Sequence, residues 1–274
     1  MGLRVNNNIS SINAQRNLVV TTDRMQKSLQ RLSSGLRITR AADDAAGLAI
    51  SESFRAEIRS LGQAQRNAND AISLLQIAEG ALNETSGLLI RMRELAIQAA
   101  NGTLGSSERS TVDSEFQGLR DEITRIAQVS QFNGAEILNG ISSITFQIGS
   151  QNTSGDRITL SGVTATADGI GVGSGVSLTT LVNAQSALGV LDSAIATVAS
   201  LRANFGTVQN RLESTIRSLA VSIENTSAAE SRIRDVDFAK ETAELTRNQV
   251  LQQAGVAVLS QANVSTQSAL SLLQ

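Results

Sequence analysis

The chain contains no proline, cysteine, histidine, tryptophan or tyrosine, and its six aromatic residues are all phenylalanine. Proline breaks helix interiors because it lacks an amide hydrogen and its ring clashes with the preceding turn. Average usage would supply roughly a dozen in 274 residues, so a chain with none is free to run very long helices. Without histidine or cysteine there is no zinc site of ordinary type, no thiol nucleophile and no imidazole base. Catalysis would have to rest on Asp, Glu, Lys, Ser or Arg alone, and no convergent polar cluster of these stands out. The expectation is a non-enzyme with no metal and no cofactor. Lacking cysteine, the chain also needs no particular redox compartment. Aromatics dominate burial in thick globular cores; an Ala-rich, aliphatic set suits thin helical bundles instead.

Charge excludes further classes. Lys and Arg number 23 against 25 Asp and Glu, for a net charge of −2, which leaves no electrostatic footprint for nucleic acid or anionic lipid. No stretch approaches ~20 uninterrupted apolar residues, so no membrane insertion is expected. Met1 to Asn8 has no apolar segment of the Sec signal type; export, if it occurs, must use another route.

What is present is helical periodicity. Val5, Ile9, Ile12, Val19, Met25, Leu29, Leu32 and Leu36 are spaced largely by threes, fours and sevens, a narrow stripe that reads as a seam for a partner helix. Ser33-Ser34-Gly35 marks a break. Asp43-Asp44 then supplies a cap and acidic first turn for a second, stronger pattern. From Phe54 through Leu61, Ala68, Leu75, Leu82, Leu89 and Ala96 the stripe keeps the period of a coiled-coil seam. A helix over 44–99 would be ~80 Å long. After a turn at Asn101-Gly102, Val112, Phe116, Leu119, Ile123, Ile126 and Val129 predict a hairpin partner for it.

The runs 144–148 and 157–160 alternate as a β-hairpin does, and 161–177 is rich in Gly, Ser and Thr as a surface loop would be. Gly169, Gly171, Gly173 and Gly175 lack the flanking strand and helix of a phosphate-binding loop. Helix returns from Leu188 to Ile223, and a last, weaker helix carries Val236 to Leu273. Glu230 and Arg234 stand at helical pairing distance. The order is near-palindromic, which predicts a mainly α fold: a long antiparallel helical bundle or coiled coil with a small β-hairpin region. Pairing the weak terminal helices with each other gives one unit from 1–42 plus 228–274. The long helices form another over 43–227, with the hairpin near 140–165.

Several segments resemble bacterial flagellin. They are Arg4-Val5-Asn6-Asn7-Asn8-Ile9 with Asn13-Ala14 and Asn17-Leu18; Leu32-Ser33-Ser34-Gly35-Leu36-Arg37-Ile38; and Ala41-Ala42-Asp43-Asp44-Ala45-Ala46-Gly47-Leu48-Ala49-Ile50. Arg91-Met92-Arg93-Glu94-Leu95-Ala96-Ile97-Gln98, Gln131-Phe132-Asn133-Gly134, Gln209-Asn210-Arg211-Leu212, Ala228 to Asp237, and Gln261-Ala262-Asn263 follow in the family's order. The match departs at Ser265-Thr266, where relatives often carry proline.

The resemblance implies a structural subunit of the flagellar filament, with 1–42 and 228–274 as an inner-tube domain and 43–227 as an outer rod without large outer domains. It implies an assembly seam of Ile9, Ile12, Leu29, Leu32, Leu36, Val250, Val264, Leu270 and Leu273. It also implies a protofilament and receptor interface at Arg91, Arg93, Leu95, Gln98 and Glu122. The implied partners are further copies in a helical homopolymer, the flagellar export apparatus, an export chaperone, the filament cap, the hook-associated junction protein and a host flagellin-sensing Toll-like receptor. The implied location is the extracellular filament, reached without a Sec signal peptide. A hook–filament junction protein of related architecture is the alternative. Such proteins tend to carry proline around the Asp-Asp block, whereas this chain reads Ala42-Asp43-Asp44-Ala45-Ala46.

Overall fold

The computed structural model describes residues 7–140 and 142–271, and their side chains as far as residue 265. With no proline to stop it, the chain forms α1 (Ile9–Ser34), α2 (Ala45–Ala99), α3 (Ser106–Val129), α4 (Leu181–Arg234) and α5 (Phe238–Ser271). Two short antiparallel strand pairs lie between α3 and α4: β1 (Gln131–Phe132) with β2 (Ala135–Glu136), and β3 (Ser143–Gln147) with β4 (Arg157–Ser161). The chain divides into two compact units, Met1–Glu57 with Asn225–Gln274, and Ile58–Glu224.

The Ile58–Glu224 unit is built on seven-residue periodicity. Along α2, Ala68, Ala71, Leu75, Ala78, Leu82, Leu89, Met92, Ala96 and Ala99 are buried, alternating steps of three and four except where Thr85 takes the place of an apolar residue. Thr85 is 1% exposed, and its hydroxyl is satisfied by donating to the Ala81 carbonyl at 3.0 Å. On α4, Ala187, Leu191, Ala194, Val198, Phe205, Val208 and Leu212 repeat the pattern. The third helix adds Phe116 and Ile123, both fully buried. Part of α4 is apolar and long enough to cross a membrane by composition alone; the apolar residues just named face this core.

The hairpin pairs Phe146 with Ile158 and Ile144 with Leu160, so one face of β4 is buried. Beyond Ser161, the last residue of β4, the segment to 177 has no regular helix or strand, as expected, but it is not a solvated loop. Val163, Ala165, Ala167, Ile170 and Val172 are all at most 5% exposed and belong to the core. Its glycines permit close packing: a Cβ on Gly169 would sit 2.9 Å from the Thr164 carbonyl oxygen.

In the other unit, α1 lies antiparallel along α5. The Asn8 side-chain Nδ2 donates to the Ala262 carbonyl (2.9 Å), Gly255 lies against Leu18, and Arg31 faces Glu241. The first helix stops at Gly35, which takes a φ of 73° that a side chain would resist. The break between α4 and α5 meets the one after α1. The Arg37 amide donates to the Arg234 carbonyl (2.7 Å) and the Val236 amide to the Gly35 carbonyl (3.0 Å), an antiparallel bridge at Leu36 and Asp235.

Candidate functional site

Residues on both faces of α1 and α5 define the first candidate surface. The face each helix turns to the other mixes small and polar residues with a few larger apolar ones. On α1 it consists of Ser11, Ala14, Leu18, Met25, Ser28 and Leu32; on α5, of Glu241, Leu245, Asn248, Gln252, Gly255, Leu259 and Ala262, all buried or half-buried. Both rows keep heptad spacing. Ser11 donates to the side chain of Asn263 at 3.0 Å. Arg31 pairs with Glu241 at 3.5 Å, while its Nε is buried without a hydrogen-bond partner. Among the described residues of this unit, Ala14 and Ile38 are the buried apolar side chains.

Most of the large aliphatic residues point the other way. Ile9, Ile12, Val250 and Val264 are exposed, as are Val19, Val20, Leu29, Leu251, Val256 and Val258. The residues expected to form an assembly seam thus fall into three groups. Ile9, Ile12, Leu29, Val250 and Val264 lie on the exposed faces. Leu32 is half-buried on the intrachain seam, and Leu36 lies beyond α1, in the bridge with Asp235. Leu270 lies on α5 beyond the described side chains, and Leu273 lies outside the described residues. The sequence pattern that carried the intrachain seam was missed because it is apolar only in part; heptad spacing of small residues was its signal.

The loop from Leu36 to Asp44 is closed by charge. Asp44 caps α2, accepting the Gly47 amide at 2.8 Å. Contrary to the expected acidic first turn, Asp43 points away from α2. Its carboxylate meets Lys27 Nζ at 2.6 Å and accepts the amides of Thr39 and Arg40 and the Thr39 hydroxyl. The Lys27 ammonium and these donors hold the carboxyl far below the usual range. Gly47 leaves room for this turn, since a Cβ there would lie 2.9 Å from Ile38 Cδ1.

Glu230 and Arg234 do not pair with each other along α4. Arg234 reaches Glu52 at 2.6 Å and Glu230 approaches Arg55 at 3.7 Å. The two cations, Arg234 foremost, lower the Glu52 carboxyl. Arg55, Glu230 and Arg234, with Leu36, Ser227, Ser231 and Asp235, line a cavity of about 270 Å³.

The second candidate surface lies on the Ile58–Glu224 unit. Arg91 is exposed and forks to Glu115 on α3 (2.9 Å) and Glu94 (3.0 Å), which hold its guanidinium more firmly charged. Arg93 pairs with Asp192 on α4 at 2.7 Å, and that cation lowers the aspartate. Glu122 is bidentate with Arg125, one turn away, and is lowered by it. Gln98 is exposed. Leu95 is 1% exposed and sits in the core, so in the isolated chain it presents no anchor to a partner. Among the described residues no acidic cluster is arranged to hold a metal ion.

Comparison with known proteins gives these surfaces a context. Residues 5–143 match the model of the bacterial flagellin N-terminal helical region, and residues 188–273 that of the C-terminal helical region. A flagellin of Halalkalibacterium halodurans is 46% identical over 98% of this chain and 99% of its own. A flagellar filament core protein of Brachyspira hyodysenteriae is 42% identical over the same shares. Among solved structures, Bacillus cereus flagellin is 35% identical with a TM-score of 0.51, covering 60% of this chain and 94% of that one.

Proposed function

Because the chain belongs to the bacterial flagellin family and is a structural subunit of the flagellar filament, we propose that its terminal unit is the part that joins copies. In this reading the inner-tube domain comprises 1–42 and 228–274, and the outer rod spans 43–227. One observation carries it: most of the large aliphatic side chains of α1 and α5 face outward, while the contact between the two helices mixes Ser, Ala, Gly and Asn with a few Leu and Met. Contiguous exposed apolar surface marks association, and each Ile or Leu buried by a neighbouring copy contributes roughly 1.5–3 kcal/mol. Ile9, Ile12, Leu29, Val250 and Val264 are the contact residues; Leu32 and Leu36 act by holding the terminal unit in shape. Leu270 and Leu273 extend the seam on the strength of the family resemblance.

The resemblance also supports the remaining partners. The subunit leaves the cell through the flagellar export apparatus, without a Sec signal peptide and with a chaperone, and is placed under the filament cap above the hook-associated junction protein. Arg91, Arg93, Gln98 and Glu122, with Leu95 supporting α2 beneath them, form the protofilament contact. The same residues meet a host flagellin-sensing Toll-like receptor. Their present ion pairs must be exchanged for contacts with that partner.

Ile12→Asp and Val250→Asp test the seam. An unpartnered charge in a buried contact is costly to desolvate. Seeded filament growth should fail for each variant while the circular dichroism of the soluble chain stays within error. Normal growth of both would remove these faces from the polymer contact.

A further inference from the structure

The chain has three Asn-Gly pairs, at 101–102, 133–134 and 139–140. In such a pair the glycine amide nitrogen can attack the asparagine carboxamide carbon, since no side chain shields it. We propose that Asn101 is a site of spontaneous deamidation to aspartate and isoaspartate, selected over the other two pairs by the local fold.

The turn that joins α2 to α3 supplies four aids to the reaction: solvent access, a free nucleophile, a donor to the carboxamide oxygen and donors to the peptide oxygen. Asn101 and Gly102 are exposed, so water reaches them. The Gly102 amide, the nucleophile, makes no hydrogen bond among the described residues. The Thr103 amide donates to Asn101 Oδ1 at 3.2 Å. That oxygen carries the negative charge when the carboxamide carbon becomes tetrahedral, and a fixed N–H aimed at it stabilises the charge. Meanwhile the Asn101 carbonyl oxygen accepts from Arg109 Nη2 at 3.1 Å and from the Leu104 amide at 3.3 Å. Drawing electrons toward this oxygen makes the Gly102 N–H, in the same peptide group, more acidic.

The step balances without any oxidant. Gly102 N gives its proton to solvent base and bonds to Asn101 Cγ; the Cγ–Nδ2 bond breaks, and Nδ2 takes up a proton and leaves as ammonia. Water then opens the cyclic imide at either carbonyl. The sum is one water consumed, one ammonia released and one carboxylic acid formed, which ionises at neutral pH. The chain's formal charge moves from −2 to −3. The new carboxylate lies at the C-terminal end of α2, where the helix dipole disfavours it and Arg109 offsets the penalty.

Neither other pair meets all of these conditions; Asn133 is exposed, but no donor reaches its side-chain or carbonyl oxygen among the described residues. At Asn139 the nucleophile is tied, because the Gly140 amide donates to the Val163 carbonyl at 3.1 Å, and the leaving nitrogen donates to Glu136 at 2.7 Å. Asn133 and Gly134 both hold positive φ, 50° and 79°, in the two-residue turn joining β1 to β2. Ring closure there requires the turn to unwind.

The full-length soluble chain, incubated in mildly alkaline buffer and mapped by peptide mass spectrometry, tests the selection. Isoaspartyl methyltransferase labelling reports the isomer. In the folded chain, conversion at 101 should exceed that at 133 and 139 by about tenfold or more, and in concentrated urea the three rates should converge. Arg109→Lys should slow conversion at 101 by about tenfold, the equivalent of one charge-assisted hydrogen bond. Gly102→Ala keeps the fold, its Cβ lying 3.9 Å from Leu181 Cδ1, and should slow it as well. Equal or faster conversion at 133 or 139 in the folded chain, or an unchanged rate in Arg109→Lys, would overturn the proposal.

Discussion

Asp43 and Asp44 are chemically identical neighbours that the backbone turns in opposite directions. Asp44 meets the free amides at the start of α2, while Asp43 gathers Lys27, Thr39 and Arg40 around one carboxylate. Because the folded Asp43 carboxyl titrates below its unfolded value, its stabilisation is present above the ordinary Asp range. It is lost only as pH falls through the depressed folded value. Asp43→Asn should therefore lower stability by about 1–2 kcal/mol at neutral pH, and the gap should persist through about pH 4 and close in strong acid. Urea melts of both proteins across pH read this directly. A gap that vanished near pH 4 would mean that Lys27 does not hold the carboxylate. Gly47 is the companion position. With Ile38 1% exposed and the capping Asp44 carboxylate also crowding the position, Gly47→Ala should cost about 1–3 kcal/mol. Thermal melts should show that loss, whereas Gly80→Ala, in open space on α2, should show none.

At the scale of elements, periodicity was legible where residues are large and apolar. The α2 stripe, the α3 face and the hairpin at 144–160 could be read from spacing because Leu, Phe and Ile there are buried for their area. Phe205 shows the energetic weight of such positions: fully buried on α4, it should cost about 3–5 kcal/mol on truncation to alanine. Chemical denaturation of Phe205→Ala should lower the midpoint accordingly. Reading failed where burial is achieved by small or polar residues. Ser11 and Ser28 on α1 and Asn248 on α5 are buried members of two facing heptad rows that hydropathy does not show, and the Gly-rich segment after β4 buries Val163, Ala165 and Val172 without helix or strand. The partners of Glu230 and Arg234 were equally unreadable, since Arg55 and Glu52 lie far away in sequence. Of the candidate surfaces, the outward aliphatic row was legible and the burial of Leu95 was not, because one helix face cannot reveal which neighbour covers it.

For the whole molecule, the two units differ in what holds them. The Ile58–Glu224 unit contains most of the buried aliphatic and aromatic side chains; the terminal unit contains few. Ordering each residue costs about 1–2 kcal/mol, which the small-residue seam of α1 and α5 offsets poorly without added copies. Limited proteolysis of the soluble chain should remove both ends and leave a fragment near 58–224, while filaments resist. Equal resistance of α1 and α5 in the soluble chain would show that the terminal unit is self-sufficient.

The terminal unit is also discontinuous: its two parts are separated by Ile58–Glu224. A ribosome makes the N-terminal part first, at roughly 5–20 residues per second, so α1 emerges long before its antiparallel partner exists. The Ile58–Glu224 unit is complete while α5 is still unmade, and the bridge of Gly35 with Val236 cannot close until residue 236 has been made. Of these two helices, the one made first waits for the one made later. Throughout that interval its contact face, where Ser11, Ala14 and Ser28 stand among Leu18, Met25 and Leu32, is uncovered, and Ile12 and Leu29 on the other face are open to any holdase that reads aliphatic segments. The same ordering that delays the fold of the ends gives the cell a window in which to hold them apart.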